Sequence, residues 1–470
     1  MNIRKLIGDK AFYRMTLAVA VPIMIQNGIT NFVSLLDNIM VGRVGTVQMS
    51  GVAVANTLLF VLNLAFFGAV SGAGIFGAQF YGKKDYEGCR HVLRYKLLIA
   101  ADITVVGCGI FVLFGEDLIM LYLKGDGDVE DIAATLMYGR RYLLIMLTGI
   151  PAFALSQAYA SSLRESGETM VPMVAGLCAV GVNLGLNAIL IFGLLGAPAL
   201  GSDGAAVATV VSRYVEVAII IIWTHTHTQK CPFAKGLFRG FYIPARLMHS
   251  INLKGLPLMI NETLWSLGVA LLNQCYSLRG HYVLGAVNIS STIINVCNVT
   301  FLAMGTSIGI IIGQLLGAGK IEEALDRDRK LITFSIFIAT LTVGVLALFS
   351  GIFPKIYDTE PAVRALAQRL ILISAVLMPI RAYSNAVYFT LRSGGKIFIT
   401  ILFDSVFTCV ILAPVAFVLG NFTTISIEWL YFCCNAMEIV KCFLGYFLLK
   451  SGVWLNNIVD DQKTKKEVKA

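Results

Sequence analysis

The stretch Arg14–Gly42, RMTLAVAVPIMIQNGITNFVSLLDNIMVG, is long and apolar enough to cross a lipid bilayer as a helix, and it indicates the fold class of the chain. Its single acidic residue, Asp37, lies near its far end. An ionisable group at membrane depth costs free energy unless it is paired, hydrated or facing a cavity, and it therefore indicates a functional site. Asp37 is the first candidate functional residue of the chain.

The composition extends this prediction to the whole chain. Of the 470 residues, 57% are hydrophobic and 14% are charged, whereas average domains carry roughly 25% charged residues. The mean hydropathy is +0.77. We predict an all-α integral membrane protein with twelve transmembrane helices. The apolar segments lie at about 14–42, 51–81, 95–115, 141–163, 169–194, 204–224, 254–279, 284–317, 331–353, 365–391, 397–420 and 424–449.

The basic residues indicate the topology. Of the 37 Lys and Arg residues, 26 lie in the two termini and the loops on their side of the membrane, and eight lie on the opposite side. Positive residues accumulate in the cytoplasm, so both termini are predicted to be cytoplasmic and the protein multi-pass in the plasma (inner) membrane. This topology also accounts for the net charge of +9, and we expect no nucleic-acid partner.

The chain is predicted to consist of two lobes of six helices. We divide it into an amphipathic N-terminus, an N-lobe, a cytoplasmic linker, a C-lobe and a cytoplasmic tail, at 1–13, 14–224, 225–253, 254–450 and 451–470. The linker is polar, basic and contains two prolines, so we expect it to act as a hinge.

The lobes repeat in sequence. A shift of 235 residues aligns Pro22 with Pro257, Asn63 with Asn298, Gly74 with Gly309, Gln79 with Gln314 and Gly82 with Gly317. A shift of 222 aligns Glu216 with Glu438. Each repeat holds an even number of helices, so the repeats are parallel and pseudo-symmetric about an axis along the membrane normal. Two such lobes around a central site are typical of a transporter.

Other charged residues also lie within apolar segments. They are Asp102, Arg213, Glu216, Arg381, Asp404, Glu438 and Lys441. Arg213 with Glu216, and Glu438 with Lys441, are spaced i, i+3 and can pair on one helix face. These charges are interpreted as structural pairs or as parts of a gate. Asp404 has no partner nearby in sequence, and we hypothesise that Arg381, one helix earlier, pairs with it.

Several motifs together resemble the multidrug and toxic compound extrusion (MATE) family over about residues 10 to 455. They are QNGITNFVSLLDNIMVGRVG, SGAGIFGAQFYGKKD, LRESGETMVPM, GLPLMINETLWSLG, GTSIGIIIGQLLGAGK and LRSGGK. The resemblance implies a secondary antiporter that exports organic, often cationic, compounds in exchange for Na⁺ or H⁺ while its two lobes rock around a central cavity. It implies no other cofactor, and small organic substrates and the lipid bilayer as partners, and we expect a monomer.

The resemblance also implies particular site residues. Asp37 matches an acidic residue that couples cations in the N-lobe. The motifs NLGLN and GAAVAT supply Asn183, Asn187 and Thr209 as its neighbours, and Glu262 matches a helix-7 acid of part of the family. Carboxylate, amide and hydroxyl oxygens suit Na⁺, and the Asp37 carboxylate can equally take a proton. Alternatively, the two Asn residues only hydrogen-bond neighbouring helices.

One position departs from the family pattern. Some members carry an Asp eleven residues before the Arg of the LR pair in helix 10, and here that position is Arg381. A cation there speaks against a C-lobe cation site of that type. We expect no other metal site.

Two alternatives stay open at this stage. The first is a lipid-linked oligosaccharide or other lipid flippase of the same superfamily. The second is a non-transporting membrane receptor or a membrane-embedded enzyme. An enzyme is not expected, because the sequence offers no nucleophile–base set and no group of metal ligands.

Overall fold

The computed structural model describes residues 6–42, 45–123, 129–357 and 359–460, and their regular structure is helical. In chain order the α-helices are α1 (Lys10–Gly42), α2 (Thr46–Gly82), α3 (Tyr86–Leu123), α4 (Val129–Leu147), α5 (Ile150–Glu165), α6 (Met170–Phe192), α7 (Ser202–Thr226), α8 (Ala245–Ser277), α9 (His281–Gly317), α10 (Ile321–Phe349), α11 (Pro361–Ser393), α12 (Ile397–Ile401), α13 (Ala413–Phe422), α14 (Ile427–Ala436) and α15 (Glu438–Lys450). A π-helix, Leu402–Leu412, joins α12 to α13.

The predicted fold class is confirmed. Within the described residues, eleven helical segments are long and apolar enough to cross a membrane, and α4 with α5 forms a bent pair that supplies a twelfth span. The sequence placed this span at 141–163, but it begins at the start of α4 and is bent by 48°. Pro151 causes the bend, because a proline in the first turn of α5 cannot donate a backbone hydrogen bond to the turn before it.

Two further spans are irregular. The π-helix ends two residues before Pro414, which has no N–H for the carbonyl one turn earlier, so the wider hydrogen-bond pattern occupies the preceding turns. Between α14 and α15 the helix breaks at Met437. Just before the break, the Asn435 side chain donates to the carbonyl of Tyr431 at 2.7 Å, a local bond of the kind that bends helices.

The chain folds into two compact units. The N-unit contains Ile25–Gly77 and Asp85–Gly255, and the C-unit contains the residues before Ile25, Ala78–Lys84 and the chain from Leu256 onward. The start of α1 and the end of α2 therefore belong to the C-unit, and the linker 225–253 belongs to the N-unit.

In the N-unit, the core lies between α2, α3, α4, α5 and α7, around large side chains such as Phe66 and Tyr142. The segment between α7 and α8 is fixed to α3 by Arg94, which is only 5% exposed. Its guanidinium donates to the carbonyls of Leu237, Gly236 and Tyr242 at 2.8, 3.0 and 3.1 Å. The segment that the sequence indicates as a hinge is thus held to a helix of its own unit.

In the C-unit, Val19 and Ile23 of α1 pack with Ala303 and Ile310 of α9. The ends of α2 and α9 also meet there. A Cβ on Gly82 would lie 1.9 Å from the Gln314 carbonyl oxygen, and a Cβ on Gly317 would lie 1.9 Å from that of Gln79. Only glycine permits this approach, which explains why both glycines recur in the repeats.

Candidate functional site

The N-unit brings together the three neighbours that the resemblance implied for Asp37. Asn183 donates from Nδ2 to the Thr209 hydroxyl at 3.2 Å, and Asn187 donates from Nδ2 to Asn183 Oδ1 at 3.0 Å. The i, i+4 spacing on α6 puts both amides on one face, where α7 packs, and they are 4% and 0% exposed. The result is a buried strip of amide and hydroxyl oxygens.

The side chain of Asp37 lies outside the part of the chain that the structure describes, although its backbone is helical within α1. Helix α1 contacts α5 and α6 at Gln26. Its Oε1 accepts from Arg164 at 3.1 Å, and a Cβ on Gly176 would lie 3.6 Å from its Nε2. This contact sets the register between the two helices that carry Asp37 and the two Asn residues.

A small cavity of about 40 Å³ lies next to the strip and is lined by Thr209 and Arg213 of α7 and by residues at the bend between α4 and α5. The predicted pair on α7 is formed, with Arg213 Nη1 at 3.3 Å from Glu216 Oε2. The Arg213 guanidinium also lies 5.0 Å from the centre of the Phe153 ring. The cation that borders the cavity is thus compensated by a carboxylate that is 5% exposed.

Asp102 lies apart from these groups. It is exposed on α3, on a face where Val105 and Val106 are 72% and 61% exposed. Among the described residues, no ion pair of Asp102 is found. The structure therefore places this acid on an apolar outer face of the N-unit and not in the polar strip.

The N-unit also contains an ion pair that the sequence did not predict. Lys96 is fully buried, and its Nζ lies 2.5 and 2.7 Å from the two carboxylate oxygens of Glu165. Ser161 and Ser162 accept from the same ammonium at 3.0 and 3.1 Å. Lys96 lies in α3 and Glu165 is the last residue of α5. The pair links α3 to α5.

In the C-unit, Glu262 is held by two residues of α11. The Tyr388 hydroxyl donates to Glu262 Oε1 at 3.1 Å, and Arg392 Nη1 lies 3.8 Å from the same oxygen. Arg392 also donates to the Tyr388 hydroxyl at 3.4 Å, and its guanidinium lies 5.6 Å from the centre of the Phe389 ring. The sequence did not predict that Tyr388 and Arg392 contact Glu262, because Arg392 lies just after the apolar segment 365–391, whereas α11 extends to Ser393.

A second cluster surrounds Lys441. Its ammonium lies 3.1 Å from Asp404 Oδ1 and 3.5 Å from Glu438 Oε1, so the predicted pair of Glu438 and Lys441 is formed. The hypothesis that Arg381 pairs with Asp404 is wrong. Arg381 instead donates to the side-chain oxygen of Asn435.

Asn261 connects the two clusters. Its Nδ2 lies 3.5 Å from the Tyr388 hydroxyl and 3.4 Å from Asp404 Oδ2, while the Ser405 hydroxyl donates to its Oδ1 at 2.6 Å. Asn261 and Ser405 are both 0% exposed. A continuous polar network thus runs through the C-unit from Arg392 to Glu438. The sequence analysis named Glu262, Asp404, Glu438 and Lys441 but did not connect them, because the members of the network come from four separate segments.

Comparisons with known proteins agree with this architecture. The sequence model of the MatE family matches residues 22–189 and 257–418. The probable multidrug resistance protein NorM of Thermotoga maritima is 25% identical over 458 residues, with 96% of this chain and 95% of the relative covered. The probable multidrug resistance protein YoeA of Bacillus subtilis is 25% identical over 420 residues, with 87% of each chain covered.

Among solved structures, the MATE transporter VcmN of Vibrio cholerae superposes with a TM-score of 0.82 at 17% identity, covering 95% of this chain and 98% of its own. At that identity the likeness concerns the fold alone. The two ranges matched by the family model lie on either side of the segment between α7 and α8.

Proposed function

Because the chain belongs to the MatE family of multidrug efflux transporters, we propose that it is an antiporter that exports organic cations in exchange for Na⁺ or H⁺. Family membership makes it a multi-pass membrane transporter of small molecules and not an enzyme. What we propose beyond family membership is that the cargo is cationic, that Na⁺ or H⁺ is the coupling ion, and that the two are exchanged across the membrane.

The buried strip of Asn183, Asn187 and Thr209 is the observation that carries the proposal. Amide and hydroxyl oxygens buried at membrane depth are hard ligands of the kind that Na⁺ prefers, and they also solvate a carboxylate that exchanges a proton. Asp37 lies eleven residues beyond Gln26 on α1, and Asn187 lies eleven beyond Gly176 on α6. Each interval spans about 16 Å of helix, which supports a common height for Asp37 and the strip.

The cargo is proposed to meet the C-unit at Glu262. Within the described part of the chain, this carboxylate has one close hydrogen bond, from Tyr388, and its arginine partner lies at 3.8 Å, beyond ordinary hydrogen-bond reach. Its side chain is 15% exposed. A carboxylate held in place but not fully neutralised suits an organic cation, and the ring of Tyr388, whose hydroxyl contacts it, can add cation–π attraction.

The setting of this transporter is part of the same proposal. The excess of Lys and Arg on one side supports a plasma (inner) membrane location with both termini in the cytoplasm. A monomer suffices in this scheme, because both polar regions are built within one chain. An ion gradient supplies the energy, so the binding of ion and cargo must favour different states of the transporter.

The test is efflux of a fluorescent cationic dye from proteoliposomes, driven separately by a Na⁺ gradient and by a pH gradient. The unmodified protein should move the dye with one of these gradients and not with both collapsed. Asp37→Asn should abolish gradient-driven movement while the protein stays folded. The matched control is Asp326→Asn, which removes an exposed carboxylate that pairs with Lys330 on α10.

Two results would count against the proposal. Full transport by a well-expressed Asp37→Asn variant would remove Asp37 as the coupling residue. Absence of dye movement under either gradient, combined with movement of a fluorescent lipid between leaflets, would favour the flippase alternative.

A further inference from the structure

The Lys441 ammonium occupies a site built from two acids and two aromatic rings. Its Nζ lies 3.1 Å from Asp404 and 3.5 Å from Glu438, and 5.4 and 5.8 Å from the ring centres of Phe403 and Phe407. The Lys441 side chain is 7% exposed. Carboxylates with aromatic faces form the set of groups with which proteins recognise organic ammonium ions. We call these four residues the ammonium cage.

Irregular backbone builds the cage. Phe403, Asp404 and Phe407 all lie in the π-helix, whose wider turn brings residues four apart to the same side. Glu438 is the first residue of α15 and Lys441 lies three residues later, so the break at Met437 lets both face the π-helix. Irregular helices at membrane depth are typical of places where a protein binds or moves a polar group.

We propose that the ammonium cage is a binding site for primary alkylammonium ions that the chain fills with its own Lys441. In the intact protein, Lys441 therefore determines specificity, since it withholds Asp404 and Glu438 from any external cation. Glu262 is then the carboxylate of the C-unit network that is left for a cargo. The consequence for cargo rests on the proposed function, whereas the binding chemistry of the cage does not.

The second oxygen of Asp404 supports this assignment. Asp404 Oδ2 accepts from Asn261 at 3.4 Å while Oδ1 faces Lys441, so both oxygens of the carboxylate already have donors. Its side chain is 18% exposed and that of Glu438 is 22% exposed. The acids are thus reachable for a small cation once the lysine stem is removed.

The experiment supplies the missing part of the side chain. The atoms that Lys441→Ala removes, three carbons and the ammonium nitrogen, correspond to an n-propylammonium ion. The melting temperature of the purified variant in detergent micelles is measured with and without n-propylammonium chloride. Sodium chloride at equal ionic strength and neutral 1-propanol are the controls. We expect n-propylammonium to raise the melting temperature of Lys441→Ala but not that of the unmodified protein, whose cage is filled. In Lys441→Ala/Asp404→Asn the half-maximal concentration should rise about tenfold or more, because a charge-assisted hydrogen bond is lost.

Equal shifts in the variant and the unmodified protein, or no shift in either, would overturn the proposal. If Lys441→Ala is not recovered folded, Lys441→Arg and Lys441→Met decide, since they differ chiefly in charge. Lys441→Arg should melt close to the unmodified protein, Lys441→Met should melt lower, and adding Asp404→Asn to Lys441→Met should restore stability. A Lys441→Met variant as stable as Lys441→Arg would refute a resident cation. These measurements involve no gradient, so failed transport and a failed cage give different results.

Discussion

Lys96 and Glu165 form the most deeply buried ion pair in the described part of the chain. Burying two charges costs a large free energy of dehydration. Here that cost is offset by two short contacts between the ammonium and the carboxylate and by hydrogen bonds from the ammonium to two serine hydroxyls. The glycines of α2 make room for the pair, because a Cβ on Gly77 would lie 1.9 Å from Glu165 Oε2. Any change to one partner alone leaves the other charge buried without compensation.

We therefore expect Glu165→Gln or Lys96→Met alone to lower the free energy of unfolding by about 3–5 kcal/mol. The double variant Lys96→Met/Glu165→Leu should be close to the unmodified protein, because an apolar pair avoids the cost of dehydration. Denaturant unfolding in micelles measures both. Arg369→Ala is the control, since its side chain is 65% exposed beside Glu428 and such pairs contribute about 1 kcal/mol or less. Additive losses in the double variant would contradict a coupled pair.

Cys231 gives a prediction about pH at the same scale. It lies outside the spans and is 0% exposed, and burial, together with the charge of Glu168, raises the pKa of its thiol to about 12. The thiolate is the reactive form, and at pH 8 only about one thiol in ten thousand is then ionised. We expect Cys231 to resist iodoacetamide in the folded protein between pH 7 and pH 9 and to react after denaturation, as followed by peptide mass spectrometry. Rapid modification of folded protein at pH 8 would contradict this.

Among the ion pairs, those between residues close in sequence were predictable and those between distant segments were not. The pairs of Arg213 with Glu216 and of Glu438 with Lys441 were predictable, because their spacing on one helix brings them together. The partner of Asp404 was not, since it depends on how the π-helix turns the carboxylate towards α15. The pair of Lys96 with Glu165 was not predictable from spacing either, because the two residues lie 69 positions apart.

At the scale of elements, the twelve spans follow from apolar length alone, whereas their irregularities do not. Pro151 and Pro414 indicate where a helix can deviate, but not whether it bends by 48° or widens into a π-helix. The break at Met437 has no proline at all. These irregular turns border the cavity beside Thr209 and the ammonium cage, so the least predictable backbone lies next to the candidate sites.

The segment between α7 and α8 allows a test at this scale. Arg94 donates to three of its carbonyl groups, and removing the guanidinium leaves those of Leu237 and Gly236 without this donor. In Arg94→Met we expect trypsin to cut after Lys235 and Arg239 several times faster than in the unmodified protein, with little change in the melting temperature of the spans. Arg90→Met, which removes a neighbouring cation of α3, is the control. Unchanged cleavage of Arg94→Met would show that the segment is held by other contacts.

At the scale of the whole molecule, the two units repeat the scaffold and one acid, but not the position of the cation beside that acid. Glu216 and Glu438 are equivalent in sequence, yet the cation lies one turn before the first acid and one turn after the second. In both cases an aromatic ring faces the cation. The scaffold was predictable because glycine and glutamine recur where backbones meet. The positions of the charges were not predictable, because the two units have diverged in sequence near their irregular helices.

Gln79 differs from Gln314, its equivalent in the repeat, in its burial and in what its side chain contacts. It is 0% exposed, donates to the carbonyls of Ser393 and Asn456 at 3.0 and 3.1 Å, and accepts from the Ile458 amide at 2.9 Å. One amide at the end of α2 thus fastens the segment after α15 within the C-unit. Its repeat equivalent, Gln314, is only partly buried, so the two glutamines share a helix crossing but differ in this further task.

We expect Gln79→Leu to release this segment, because a leucine fills the space but offers no donor or acceptor to the three backbone groups. Hydrogen–deuterium exchange of a peptide covering residues 453–460 should become at least about tenfold faster, since each lost bond weakens protection by roughly 1 kcal/mol. Gln314→Leu is the matched control and should leave exchange in this peptide near that of the unmodified protein. If Gln79→Leu and Gln314→Leu accelerate exchange equally, the effect belongs to the crossing of α2 and α9, and Gln79 has no separate role in holding the segment.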